Sequence, residues 1–240
     1  MRIDIITIFP QMFESFLQTS LIARGIKKKI ININLFDLRS VTTDNHKTVD
    51  GKPYGGGPGM ILRVDIVDKA LNKVLKQSKI SRSKTKIILL TPQGKVFNQL
   101  MSYELSAMSR LIFICGHYEG FDERIRDLAD IEVSIGDYIL TGGELPAMVM
   151  VDSIARNIKG FLGKESSLSE ESFSLKILNS KFLIRNSLLE YPQYTKPENY
   201  KGEKVPDILL TGNHQKISDW RMAQAVSKTR KMRPDLLNLM

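Results

Sequence analysis

The residues from Ser134 to Pro146, SIGDYILTGGELP, bring four aliphatic side chains, two acids, three glycines and a proline into thirteen positions. A hydrophobic strand that runs into glycines lets the main chain come close to a bound molecule, and its N–H and C=O groups can then read that molecule's polar edges. Taken alone, the run is equally a tight strand-to-helix connection built on a Gly-Gly turn. Two further stretches of the same character, LLTPQG (Leu89–Gly94) and CGHYEG (Cys115–Gly120), also sit at the ends of apolar runs. In an open parallel sheet ligands bind beyond the carboxyl ends of the strands, so three such loops point to one site. The common nucleotide signatures are missing: there is no G-x-G-x-x-G and no G-x-x-x-x-G-K-[ST], which disfavours a Rossmann enzyme or a P-loop ATPase. YGGGPG (Tyr54–Gly59) lies in a long loop without a helix start at P-loop spacing and is equally compatible with a mobile cover.

The elements that must position these loops follow from periodicity. Ile3, Ile5, Ile8 and Phe9 read as a first strand, and Pro10 starts a helix with Met12, Phe13, Phe16, Leu17 and Leu21 on its apolar face and Gly25 as its close. A strand over 30–36, an aperiodic polar segment over 37–60, a helix over 64–77, a strand over 85–91, a helix over 96–108 and a strand over 111–115 come next. A strand ending at Ile135 then leads into a helix over 144–158. This alternation predicts an α/β fold with a parallel sheet and crossover helices. From 161 to 190 the pattern degrades into a serine-rich linker with some helical content. Residues 191–240 read as a small, mainly helical domain, with a basic helix over 214–230 carrying Ile217, Trp220 and Ala223 on one face. The expected division is therefore 1–160, 161–190 and 191–240.

The formal charge is +9, and residues 176–240 hold 12 Lys+Arg against 6 Asp+Glu, so the last quarter supplies +6 of it. A compact basic module beside a near-neutral domain suits a phosphate backbone, because each neutralised phosphate releases counterions. A lysine-rich solvated face is the plainer alternative. The single cysteine, Cys115, cannot form an internal disulfide, which agrees with a reducing compartment. Three scattered histidines and that cysteine give no metal-ligand spacing. No basic region followed by a long apolar run opens the chain, so a cytoplasmic protein with neither signal peptide nor membrane span is expected.

Together, HKTVDGKPYGGGPGM (His46–Met60), TPQG, CGHYEG, FDER, SIGDYILTGGELPAM, DSIAR, PQYTKP (Pro192–Pro197) and GNHQKISDWR (Gly212–Arg221) closely resemble the bacterial tRNA (guanine-N1)-methyltransferases of the SPOUT class. The resemblance implies methyl transfer from S-adenosylmethionine to N1 of the guanosine just 3′ of the tRNA anticodon. It implies a homodimer with its active site at the subunit interface, and a trefoil knot in the sheet domain, which periodicity would never propose because threaded chains are rare. Carried over residue by residue, the cofactor pocket comprises Leu90, Pro92, Gly116, Tyr118, Ile135, Gly136, Asp137, Tyr138, Ile139 and Leu140, with Gly142, Gly143 and Pro146 shaping its floor. Arg156, in DSIAR, matches the arginine that stabilises negative charge on guanine O6. Glu119 matches a residue that holds the target guanine or a magnesium ion, the family being thought to use Mg²⁺.

Three departures stand out. The family's general base is an aspartate in D-S-F, and here the matching segment is EESF with Glu171, which keeps the carboxylate on an arm one methylene longer; Glu170 is a substitute next door. His117 stands where C-G-R-Y-E-G is common, and its protonation could partly replace the lost charge. About eleven extra residues, KILNSKFLIRN or nearby, lengthen the linker, a thermodynamically cheap insertion. A rival of another class is a non-catalytic RNA-binding protein on the same fold; an enzyme acting on a nucleotide-like small molecule is a third. If the C-terminal module supplies the phosphate grip, deleting 192–240 leaves cofactor binding intact and removes tight tRNA binding in a filter-binding assay.

Overall fold

The structure, a computed structural model, describes residues 1–163, 171–173, 175–178, 182–185 and 188–239. The chain divides into two compact units, Met1–Gly163 and Lys164–Met240. In the first, β1 (Arg2–Thr7), β2 (Asn32–Asp37), β5 (Thr85–Val96), β6 (Arg110–Cys115) and β7 (Ile131–Ser134) form one five-stranded sheet in the order β2-β1-β6-β5-β7. Every pairing in it is parallel. Helices cover both faces, which is why RLIFIC and the IILL of β5 read as unbroken apolar runs. Ile88, Leu90, Leu111, Phe113 and Cys115 pack in one layer with residues of α2 (Ser20–Lys27), α4 (Gln99–Ser106) and α5 (Glu144–Arg156). Their strand neighbours Ile87, Leu89, Ile112 and Ile114 pack in the other layer with α3 (Val64–Lys76).

The sequence pattern misplaces several features. The helix expected from Pro10 is a short 3-10 turn over Pro10–Phe13, then α1 (Glu14–Gln18), then a separate α2. Gly25 does not close it but lies buried inside α2, where a Cβ would come within 2.5 Å of the Phe161 ring. Its absent side chain lets that aromatic seat against the helix. The polar segment after β2 carries two short strands, β3 (Asp50–Gly51) and β4 (Ile61–Leu62), paired antiparallel. β5 also runs beyond the expected Thr91, because the chain rejoins β7 after an excursion.

At the N-terminal end of the strands Asp4 and Arg110 are both buried and paired at 2.7 Å. The Asp4 carboxylate also accepts from Arg2 and Asn34, at 3.0 Å each. Arg110 donates onward to the carbonyls of Val74 (2.7 Å) and Leu75 (3.3 Å), two of the orphan acceptors at the end of α3. One guanidinium thereby ties β1, β6 and α3 together.

In the second unit the expected linker holds a hairpin rather than helix among its described residues, with β8 (Leu175–Leu178) paired antiparallel to β9 (Phe182–Arg185). Part of the proposed insertion, including residues 179–181, lies outside the described residues. A second hairpin, β10 (Asn199–Tyr200) and β11 (Glu203–Lys204), precedes α6 (His214–Met232). The inward face of α6 is Ala225 and Thr229, with Ile217 and Arg221 half-buried; Ala223 is exposed, so the expected Ile217-Trp220-Ala223 face is displaced by part of a turn. Trp220 is half-buried, with its ring 6.5 Å from that of Tyr194.

Removing one partner of a buried, hydrogen-bonded ion pair leaves an uncompensated charge. Arg110→Ala is therefore expected to lower unfolding free energy by about 3–5 kcal/mol, measured from the urea midpoint, and Arg110→Lys to recover only part of it, since an ammonium cannot span three acceptors.

Candidate functional site

The carboxyl ends of β5, β6 and β7 open on a cavity of about 300 Å³. Most of the lining comes from the three loops, with Ile61, Glu123 and Arg126 added at the side. From β5 come Leu90, Thr91, Pro92 and Gln93; from β6, Gly116 through Phe121; and from β7, Val133 through Gly136 together with Tyr138, Ile139 and Leu140. Gly142, Gly143 and Pro146 close the floor where α5 begins. Twelve of the thirteen residues expected around the cofactor thus line one cavity.

Asp137 is the exception: its side chain is exposed and does not line the cavity. The turn Gly136–Tyr138 folds the Tyr138 ring back over Gly136, where a Cβ would meet it at 2.4 Å, and this sends the intervening residue outward. Arg156 is the last residue of α5, and ten residues at helical rise put it about 15 Å along the axis from Pro146 on the cavity floor. Glu171 lies half-buried in the second unit. Beside it Ser172 accepts a hydrogen bond from the Glu190 N–H at 2.9 Å, and the Leu189 N–H bonds the buried Thr229 hydroxyl of α6 at 2.8 Å. Glu170 lies outside the described residues.

The floor is built by main chain pressed on main chain. A Cβ on Gly143 would stand 2.7 Å from Cys115 Cα and 2.9 Å from the Gly116 nitrogen. Instead the Gly143 N–H donates to Gly116 O at 2.8 Å, and Gly142 bridges to His117. Beneath this contact Glu144 is buried, and one of its oxygens accepts from the Thr7 hydroxyl at 2.6 Å. A carboxylate in the first turn of α5 also faces that helix's positive end. Sequence reading gave Glu144 no role, and its only signal was an acid directly after two glycines. Burial, and then the Glu144 charge, pushes the Cys115 thiol well above its ordinary range.

The β6 loop is held in a strained form, with Tyr118 in the left-handed region at φ 62°. Burial followed by the Asp50 charge raises the Tyr118 phenol. The His117 ring meets Phe9 edge-on at 4.9 Å and Tyr118 at 5.1 Å, and its Nδ1 is buried with no hydrogen-bond partner. The glycine-rich segment docks on this same loop: Glu119 N–H donates to Met60 O at 3.1 Å, Leu62 N–H to Gly120 O at 3.0 Å, and the Glu119 side chain lies over Gly59. Tyr54 is fully exposed. Among the described residues no group of three or more His, Cys, Asp or Glu side chains is arranged to hold a metal ion, and no helix is long and apolar enough to cross a membrane.

Comparison with known proteins matches residues 1–239 to the family described as tRNA (Guanine-1)-methyltransferase TrmD. The chain is 47% identical over 237 residues to a tRNA (guanine-N(1)-)-methyltransferase of Limosilactobacillus reuteri, covering 99% of this chain and 90% of the relative. It is 48% identical over 240 residues to the protein of the same name from Carboxydothermus hydrogenoformans, covering 100% and 88%.

The burial of Cys115 under this floor has a chemical consequence, since only a thiolate reacts with alkylating agents. Iodoacetamide at pH 8 is expected to leave the folded protein unlabelled and to label Cys115 fully in urea, as read by intact mass.

Proposed function

The chain belongs to the tRNA (guanine-1)-methyltransferase family, and on that premise we propose that it transfers the methyl group of S-adenosylmethionine to N1 of the guanosine immediately 3′ of the anticodon in tRNA. The observation that supports the cofactor half is the cavity. Leu90, Ile135 and Leu140 offer apolar walls, and the glycine floor offers main-chain groups with no side chain in the way. Such a slot suits a flat adenine and a folded methionine tail.

The cofactor, when bound, would supply an electrophilic methyl group, its S–CH3 bond breaking to leave the neutral thioether S-adenosylhomocysteine; the chain has to orient guanine and remove its N1 proton. In this reading the Glu171 carboxylate takes that proton as the N1–methyl bond forms, and the Arg156 guanidinium stabilises the negative charge that develops on O6. Glu119, at the rim of the cavity, holds the guanine. Its single carboxylate is the group it would offer a magnesium ion.

The homodimer belongs to the same reading. Ile139 is 80% exposed, and Leu145 and Val149, one turn apart on α5, are each about half exposed, an apolar strip that a second copy would cover. The distance of Arg156 from the cavity floor also favours a reaction centre completed across two protomers. The trefoil knot is part of the proposal too. What supports it is that after β7, at the sheet edge beside β5, the chain returns to the end of β6 and lies against the Cys115–Phe121 loop through Gly142 and Gly143. Residues 1–160 then carry the cofactor chemistry, 161–190 the base, and 191–240 the grip on tRNA; a cytoplasmic location suits that substrate. A non-catalytic RNA-binding protein is not favoured.

Labelled methyl from S-adenosylmethionine is expected to enter unmodified tRNA bearing guanosine 3′ of the anticodon and not the same tRNA with adenosine there. Label in neither would sink the proposal. Glu171→Gln should lower the rate by roughly 10²–10⁴-fold, the range for loss of a general base, with S-adenosylmethionine affinity retained; unchanged turnover would move the role to another carboxylate.

A further inference from the structure

One wall of the cavity is a defect in the sheet. Leu90 and Lys95 both pair with Val133, so Thr91, Pro92, Gln93 and Gly94 are looped out of the β5–β7 ladder. Gly94 is squeezed against β7, where a Cβ would come within 2.4 Å of the Val133 nitrogen. Pro92 and Gln93 line the cavity yet are exposed, so no core packing holds them. Locally the excursion has a weak tie, with Gln93 N–H donating to Thr91 Oγ1 at 3.3 Å.

The stronger tie comes from Arg126, in the 3-10 turn Glu123–Leu128. Its Nη2 donates to Gln93 Oε1, its Nη1 to Glu132 Oε2 on β7, and its Nε lies 2.7 Å from Glu123 Oε1. The guanidinium sits 5.2 Å from the centre of the Phe121 ring, and both residues line the cavity beside the Pro92–Gln93 wall. Glu123 is 80% exposed, so that pair contributes little; the contacts to Gln93 and Glu132 join the looped-out wall to the strand it left. We propose that Arg126 is a positioning residue for the cofactor: its two terminal nitrogens, Nη2 on Gln93 and Nη1 on Glu132, tie the Pro92–Gln93 wall to β7, and through that wall set the affinity for S-adenosylmethionine. A planar fork can hold two acceptors in fixed directions, whereas an ammonium on a flexible stem cannot.

The inference rests on the methyltransferase reading, and its test separates the two. Affinities for S-adenosylmethionine and for its unreactive product S-adenosylhomocysteine are measured by titration calorimetry on the full chain. The variants are Arg126→Ala, Arg126→Lys, Gln93→Ala and the double Arg126→Ala/Gln93→Ala, each with its ligand-free melting temperature and its kcat at saturating cofactor. Arg126→Ala and Gln93→Ala are each expected to weaken both ligands roughly tenfold, with the double variant no worse than either. Arg126→Lys should stay weak, kcat should hold within about twofold, and the ligand-free melting temperature should move by no more than about 4 °C, because these contacts join a looped-out wall to the sheet edge and leave the core packing untouched. Undiminished affinity in Arg126→Ala, additive losses in the double variant, or a fall in kcat at unchanged affinity would overturn the inference while leaving the family activity in place. If the unaltered protein binds neither compound, the cofactor reading falls and the inference with it.

Discussion

No side chain fits where Gly142 and Gly143 lie against Cys115, Gly116 and His117. That backbone-on-backbone contact sets how closely the start of α5 can approach the end of β6, and much of the first unit follows from it. Because α5 begins there, its buried face of Ala147, Met150, Val151 and Ile154 continues down the sheet. Because the approach is so close, Glu144 is forced inward and finds Thr7 on β1. The cavity is what remains above the contact once three strands have ended and their loops have turned away.

The two ends of the strands treat buried polarity in opposite ways. At the N-terminal end Asp4 and Arg110 satisfy each other and borrow Arg2, Asn34 and two helix carbonyls, so the charges are spent on holding elements together. At the C-terminal end His117 keeps a buried nitrogen without a partner, Tyr118 sits in a strained backbone conformation, and a four-residue wall stands outside the ladder. Unsatisfied groups and strain are costly, and they persist where a ligand repays them. A rigid end and an unfinished end, joined by strands buried on both faces, make a scaffold that can hold a ligand without deforming.

The sequence was legible where a single local rule decides. Alternating strands and helices, the three loops at strand ends and twelve cavity residues could be named from pattern and resemblance. Misreadings arose where a distant residue decides. Gly25 resembled a helix terminator because nothing local announces Phe161 packing against it. Arg126 went unnoticed because Gln93, its partner on the cavity wall, lies in the segment that β5 loops out where it breaks its register. The face of α6 was misplaced because the interior is lined by small and polar residues, Ala225 and Thr229, which carry no hydrophobic signal.

Thr229 gives that polar choice a reason. Its hydroxyl donates to Ala225 O within α6 at 2.7 Å and accepts from Leu189 at 2.8 Å, while the next residue, Glu190, bonds Ser172 beside Glu171. The segment bearing the proposed base is thus hydrogen-bonded to the extended segment Leu189–Glu190, and that segment to the basic helix proposed to grip RNA. A valine of the same shape would fill the space but sever the connection. If a base must meet a guanosine only when tRNA is held, tying its segment to the gripping helix is the economical arrangement. Cofactor affinity and substrate presentation can then be set by different residues, Arg126 and Gln93 on one unit and Thr229 and Ser172 on the other.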